Sequence, residues 1–236
     1  VIVIYYIQIF LSIIMLIHTS ILDLKYREVD PKIWIYYSPL CLFIIFSFHN
    51  LFLPIYLYSF IITNLLFLIL YKLSLLGGAD LFLNVILSLA NASVISLVPS
   101  RFLVIGLEPL VIVLYSSIII LIFSLINFVK QYKYVRNLPF SKKILLALSA
   151  KRIKIRDFIN SKFLFPLTEV KEDGSIMLRD YFSVEEDDKY WRELYSKLVN
   201  EGKISADTYI WVAWGIPVIP FMLAGYIMSL IIGFPI

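Results

Sequence analysis

Leu76-Gly77-Gly78-Ala79-Asp80-Leu81 decides how this chain is read. Two glycines and a carboxylate interrupt some of the most apolar sequence in the protein. An ionisable group at the edge of a hydrophobic span is costly, so it points to function and needs a partner. The proposed partner is Asp23, which closes the first apolar run in Ile21-Leu22-Asp23-Leu24-Lys25-Tyr26-Arg27-Glu28-Val29-Asp30. Two aspartates at membrane edges, on segments far apart in sequence, suggest a dyad.

Composition supports the membrane setting. The 236 residues are 61% hydrophobic, with a mean hydropathy of +0.88. Soluble chains run at roughly 45–50% apolar, and one of this length has no interior large enough to hide the excess. The single cysteine, Cys41, excludes internal disulfides and any cysteine-based zinc cage. The net charge of +4 is modest, but the charge is unevenly spread. Residues 130–208 hold 16 of the 21 Lys and Arg and 12 of the 17 Asp and Glu, which leaves five of each elsewhere. The expected architecture is therefore an all-α polytopic membrane protein of about six helices, with a small charged α+β insert before the last.

Taken outward from the pair, Val1–Leu22 is long enough to cross a hydrocarbon core that needs about 20 residues. No basic leader or cleavage site frames it, so it is expected to be retained. Asp30-Pro31 reads as a helix start, with Asp as N-cap and Pro at the first helical position. Further spans are expected at Ile33–Phe48, Leu51–Tyr71, Ala79–Val98, Leu110–Val129 and Tyr209–Ile232, the last kinked by Gly215, Pro217, Pro220 and Gly225. The chain thus divides into a membrane domain (1–129), an insert (130–208) and a sixth helix (209–236). Lys25, Arg27, Lys32, Lys72, Lys130, Lys133 and Arg136 fall on one side and Arg101 on the other. The positive-inside rule puts the first group and the insert in the cytoplasm, with both termini outside. Asp23 and Asp80 then share the cytoplasmic side.

Within the insert, Lys142–Ala150 reads as an amphipathic stretch suited to a membrane surface. Arg152–Arg156 alternates like a half-buried strand. Phe163–Val170 and Ser175–Leu178 form a hairpin across an Asp173-Gly174 turn. Ser183-Val184-Glu185-Glu186 fits a capping box, opening a helix through about Val199 that ends near Gly202. The basic stretch Lys142–Arg156 is matched better by anionic membrane lipid than by nucleic acid.

Two carboxylates held close share one proton, because ionising both is costly. One can then deprotonate a water while the other polarises a carbonyl, which is what metal-free peptide hydrolysis requires. Gly77 and Gly78 leave the backbone beside Asp80 without side chains, so an extended substrate can approach. The plainer alternative is that Gly77-Gly78 is a tight turn and Asp80 caps the fourth helix. His18 and His49, lone and on different sides, make no metal site, and no cofactor is expected.

Asp23-Leu24-Lys25-Tyr26-Arg27-Glu28-Val29-Asp30 resembles the first-aspartate motif of type IV prepilin peptidases, an aspartate followed by alternating basic residues and a Val or Ile. Gly77-Gly78-Ala79-Asp80 resembles their second motif, Gly-x-Gly-Asp, with Ala79 where glycine is usual. The likeness is closest to the archaeal prepilin and preflagellin (archaellin) signal peptidases and covers most of the chain. It implies a membrane aspartyl endopeptidase with Asp23 and Asp80 catalytic, and Gly77, Gly78, Ala79, Lys25, Arg27, Glu28 and Asp30 in support. Its partners would be precursors carrying class III signal peptides, whose basic leaders Glu28, Asp30 or the Glu185–Asp188 run would attract. With Cys41 alone, the paired cysteines of bacterial relatives are missing, and methylation of the product is not expected. Two alternatives are a transporter or channel lined by the aspartates, and a non-enzymatic scaffold of a pilus or secretion assembly. Midplane sites and internal repeats would mark a transporter, and neither is visible here.

Overall fold

The computed structural model describes residues 2–93, 106–170, 176–179 and 186–233. Its helices and strands run in chain order as α1 (Ile2–Tyr26), α2 (Pro31–Tyr37), α3 (Phe43–Ser47), α4 (Leu53–Lys72), α5 (Gly78–Ala90) and α6 (Glu108–Val135). There follow α7 (Phe140–Ser149), β1 (Ala150–Lys154), α8 (Ile155–Ile159), β2 (Leu164–Pro166), β3 (Thr168–Val170) and β4 (Ile176–Leu178). Last come α9 (Asp188–Asn200), β5 (Tyr209–Trp214) and α10 (Val218–Ile232). They form two units, residues 1–120 with 217–236, and residues 121–216.

In the first unit, α1, α4 and α6 are long and apolar enough to cross a membrane. Their outward faces carry Phe10, Ile21, Leu57 and Leu65, all exposed. Apolar surface on that scale belongs against lipid. The other three apolar helical stretches, Pro31–Ser47, Gly78–Ala90 and Val218–Ile232, are shorter. Inside, Leu16, Trp34, Leu83, Leu87, Met222 and Tyr226 belong to one core cluster joining α1, α2, α5 and α10.

Several expected spans are redrawn. Ile33–Phe48 is not one helix: α2 stops at Tyr37 and a 3-10 turn, Ser38–Leu42, leads into α3. Pro39 is the cause. It has no N–H to give the Ile35 carbonyl, and its ring crowds that group. The Ser38 hydroxyl donates to Ile35 O instead, at 2.8 Å. The fourth helix ends at Ala90 rather than Val98, and residues 94–98 lie outside the described residues. At 13 residues it rises about 20 Å, short of a ~30 Å hydrocarbon core. A polar hub marks its end. Fully buried Asn91 donates to Ser12 Oγ (3.0 Å) and Leu87 O (3.1 Å), and accepts from Tyr226 Oη (2.7 Å) and Gln8 Nε2 (3.3 Å). Three helices are thereby fastened at one residue.

The expected start of the last helix at Tyr209 is also redrawn. Tyr209–Trp214 is the central strand of the second unit, not the start of a helix, and α10 begins only at Val218. Pro217 is its N-cap residue and Pro220 falls in its first turn, where a missing N–H costs little. Gly225 makes a close helix contact and is not the site of a break. The division between the two compact units falls inside α6, at 120/121.

The second unit is built on an antiparallel sheet of order β1-β5-β2, with Arg152 opposite Trp211 and Phe165 opposite Ala213. One face of it packs Ile210 and Val212 with Ile155, Phe158, Tyr195 and Leu198. The other packs Ala150 and Ala213 with Val135, Leu146 and Leu167. The expected hairpin arm Phe163–Val170 is divided: Leu164–Pro166 pairs with β5, and only Thr168–Val170 forms the β3–β4 hairpin, Val170 opposite Ile176, whose turn, 171–175, lies outside the described residues. So do Ser183, Val184 and Glu185 of the expected capping box; the cap of α9 is Asp187, which accepts from Lys189 N at 2.9 Å.

Buried Tyr195 donates its hydroxyl to Thr168 O, tying α9 to the hairpin. Burial pushes its phenol above the ordinary value of 10.0. A neutral buried tyrosine adds stability that is fully present below pH ~10 and is lost as pH climbs through the raised pKa. Tyr195→Phe should therefore lower stability of this unit by about 1–2 kcal/mol at neutral pH. It should also blunt alkaline unfolding, as followed by circular dichroism between pH 8 and 12.

Candidate active site

Asp23 lies in the last turn of α1, and the chain leaves that helix through Arg27, whose N–H bonds to Asp23 O at 2.9 Å. Arg27 has φ +58°, a left-handed conformation that non-glycine residues seldom adopt. Its charge acts on Asp23. A second group converges on the same carboxylate, the backbone N–H of Ile219. Ile219 is the second residue of α10, where N–H groups have no partner within the helix and carry the positive end of its dipole. Sequence reading did not find this contact. The two prolines bracketing Val218-Ile219 were its only signal, since they mark a helix start. Asp23 Oδ2 is sealed from solvent and has no hydrogen-bond partner among the described residues.

Asp80 enters from α5 and is 9% exposed. Its Oδ2 accepts from Gly77 N at 3.1 Å, while its own N–H bonds to Gly77 O at 3.2 Å. The capping role weighed from sequence is therefore present, and it fixes where the carboxylate stands. Space beside it remains open. A Cβ added at Gly77 or Gly78 would meet nothing closer than Asp80 Oδ2 at 3.7 Å and Tyr71 Cε2 at 3.8 Å respectively. Nothing among the described residues requires glycine there. One turn along α5, Asn84 donates to Asn64 Oδ1 of α4 at 3.0 Å and holds this face of α5 in place.

α1 and α5 pack together, and the charge of Asp23 acts on Asp80. Leu22 and Ala79, which neighbour the two aspartates in sequence, pack against the same core cluster. The remaining candidates divide. Lys25 is exposed with its ammonium over the Tyr26 ring at 4.9 Å, and Glu28 is exposed. Asp30 caps α2, accepting from Lys32 N at 2.8 Å. Asp30→Ala should then cost about 1 kcal/mol in thermal unfolding and leave the turnover rate of cleavage within about twofold.

The Glu185–Asp188 run is committed to its own unit wherever it is described. Glu186 is held by Arg179 (2.6 and 3.0 Å) and by Trp191 Nε1 (2.9 Å). Asp187 caps α9, and Asp188 accepts from Phe163 N at 2.7 Å. His18 Nδ1 lies 2.9 Å from Tyr37 Oη, a contact that joins α1 to α2.

The helices long and apolar enough to cross a membrane suit a membrane peptidase, and the class itself is given by comparison with known families. A profile of the type IV leader peptidase family matches residues 10–125, and one described as archaeal peptidase A24 C-terminus type II matches residues 142–234. The chain belongs to the type IV leader peptidase family, in its archaeal branch, and is a hydrolase of the prepilin peptidase kind. A comparison with curated proteins finds no match.

Proposed function

We propose that the chain is a multi-pass membrane endopeptidase that cleaves class III signal peptides from pilin-like, archaellin-like and related precursors, using Asp23 and Asp80 at the cytoplasmic face. The observation that supports this reading is that α1 and α5, which carry the two aspartates, pack together, with Leu22 and Ala79 beside them against one core cluster. Such a pair titrates as a unit and holds one proton between its members. The ionised member takes a proton from water as its oxygen attacks the scissile carbonyl carbon. The protonated member donates to the carbonyl oxygen; as the tetrahedral intermediate collapses, the member that took the proton from water passes it to the departing amine, and the first regains its proton from the intermediate's hydroxyl. Arg27 and the Ile219 N–H both lie at Asp23, so negative charge on the pair is compensated from that side.

Gly77 and Gly78 leave room for an extended segment beside Asp80, and exposed Glu28 attracts a basic leader. The precursor's apolar helix would dock from the bilayer while its leader stays in the cytoplasm, which brings the scissile bond to the depth of the aspartates. Membranes containing the chain, incubated with a pilin-type precursor, should yield one product whose mass places the cut between leader and hydrophobic helix. Intact precursor, or a cut within the hydrophobic helix, would contradict the proposal.

A further inference from the structure

We propose that a cavity of about 330 Å³ in the second unit, lined by Tyr134, Arg152, Thr168, Tyr209 and Trp211 among others, seats the phosphate headgroup of an anionic lipid. The reasoning begins with the length of α6. Its 28 residues rise about 42 Å, yet a hydrocarbon core of ~30 Å takes only about 20 of them. Counting from Glu108, the stretch beyond Asn127 emerges into the headgroup layer, and it carries Lys130, Tyr132, Lys133 and Tyr134. Tyr134, in the last turn, is a wall of the cavity. The cavity therefore stands at the edge of the bilayer by continuity of one helix, and the inference rests on α6 crossing the membrane.

The chemistry of the walls suits a phosphate. The Arg152 guanidinium lies 4.7 Å from the centre of the Tyr209 ring and 5.4 Å from that of Tyr134. It pairs across the strands with Trp211. Lys133 adds an ammonium 4.7 Å from the Tyr134 ring. Lys154, 5.8 Å from the Tyr209 ring, is engaged by Asp207 at 2.8 Å, whereas Arg152 makes no ion pair with a carboxylate among the described residues. Among the described residues, no acidic one lines the cavity. A planar guanidinium held between aromatic faces presents its fork to phosphate oxygens. Exposed Val129 and Phe140, on α6 and α7 of the same unit, supply apolar surface for acyl chains. The coincidence of apolar and cationic surface favours a lipid over a soluble anion.

The test uses the full-length chain purified in neutral detergent and native mass spectrometry. Phosphatidylglycerol and phosphatidylcholine with the same acyl chains are titrated in parallel. Phosphatidylglycerol should be retained about tenfold more tightly, and Arg152→Gln should lose about tenfold of that retention. Lys151→Gln removes the same charge from the opposite face of β1 and should change retention less than about twofold. Equal losses in the two variants would reduce the effect to diffuse charge attraction and overturn the proposal. Equal retention of the two lipids would overturn it too. Inorganic phosphate competing as tightly as the lipid would assign the cavity to a soluble anion. Should Arg152→Gln lower the melting temperature, Arg152→Lys decides: it keeps the charge, loses the fork, and should still weaken retention several-fold.

Discussion

Asp23→Asn and Asp80→Asn each lower precursor processing by at least ~10³-fold while the unfolding midpoint stays nearly unchanged. The size follows from the dyad acting as one unit. An amide neither takes the proton from water nor passes one to the departing amine, and the surviving aspartate lacks the partner that would share its proton. The small effect on stability follows from what each side chain touches. In Asp80→Asn the amide oxygen still accepts from Gly77 N, so the start of α5 keeps its cap. A buried carboxylate is meanwhile removed from beside another. In Asp23→Asn the carbonyl oxygen still faces the Ile219 N–H. The two single variants and the double variant should be about equally inactive, because removing a second member of a unit adds little. Precursor turnover in membranes, with melting of the same preparations, checks both halves of this expectation.

Gly225→Ala is the largest stability effect expected in the first unit, roughly 3 kcal/mol or more by the cost of overpacking a closed core. A Cβ at this position would stand 2.1 Å from Ser116 Oγ, 2.7 Å from Ser116 N and 2.8 Å from Ile112 O. Ser116 Oγ has little freedom to yield, since it is buried and donates to Ile112 O at 2.7 Å. α10 and α6 would have to move apart. That movement would pass to α10's first turn, where Ile219 faces Asp23, so residual activity should fall as well. Adding Ser116→Ala to Gly225→Ala removes the 2.1 Å clash but leaves the two backbone contacts, so rescue should be partial. Full rescue would show that only the hydroxyl matters. Unfolding in increasing denaturing detergent, read by tryptophan fluorescence, measures both variants.

The parts legible in the sequence were those whose physics is local. Asp30-Pro31 opens α2 because an N-cap and a proline at the first position need nothing beyond the next turn. Gly77 to Asp80 begins α5 through bonds made within four residues. The β3–β4 hairpin and the amphipathic α7 were visible for the same reason. Tyr209–Trp214 was not. Tyr-Ile-Trp-Val-Ala-Trp is continuously apolar, and a strand covered on both faces has no alternation to distinguish it from a membrane helix. The break near Pro39 was a local signal passed over in favour of hydropathy.

The rest could not be read from one segment at a time. Gly225 carries no mark of its importance until Ser116 is placed opposite it. Asn91 looks like the end of a helix, yet it joins α1, α5 and α10. The aspartate motifs single out Asp23 and Asp80, but nothing in them marks the Ile219 N–H at the first turn of α10 as acting on Asp23.

The central claim is that Asp23 and Asp80 share one site, and thiol cross-linking in membranes measures this most directly. In a Cys41→Ser chain carrying Asp23→Cys and Asp80→Cys, a short bifunctional thiol reagent should join the two positions within one chain in high yield. A chain with Asp30→Cys in place of Asp23→Cys should join far less. Absence of the cross-link in a folded chain, with the two thiols labelled from opposite sides of the membrane, would contradict the account.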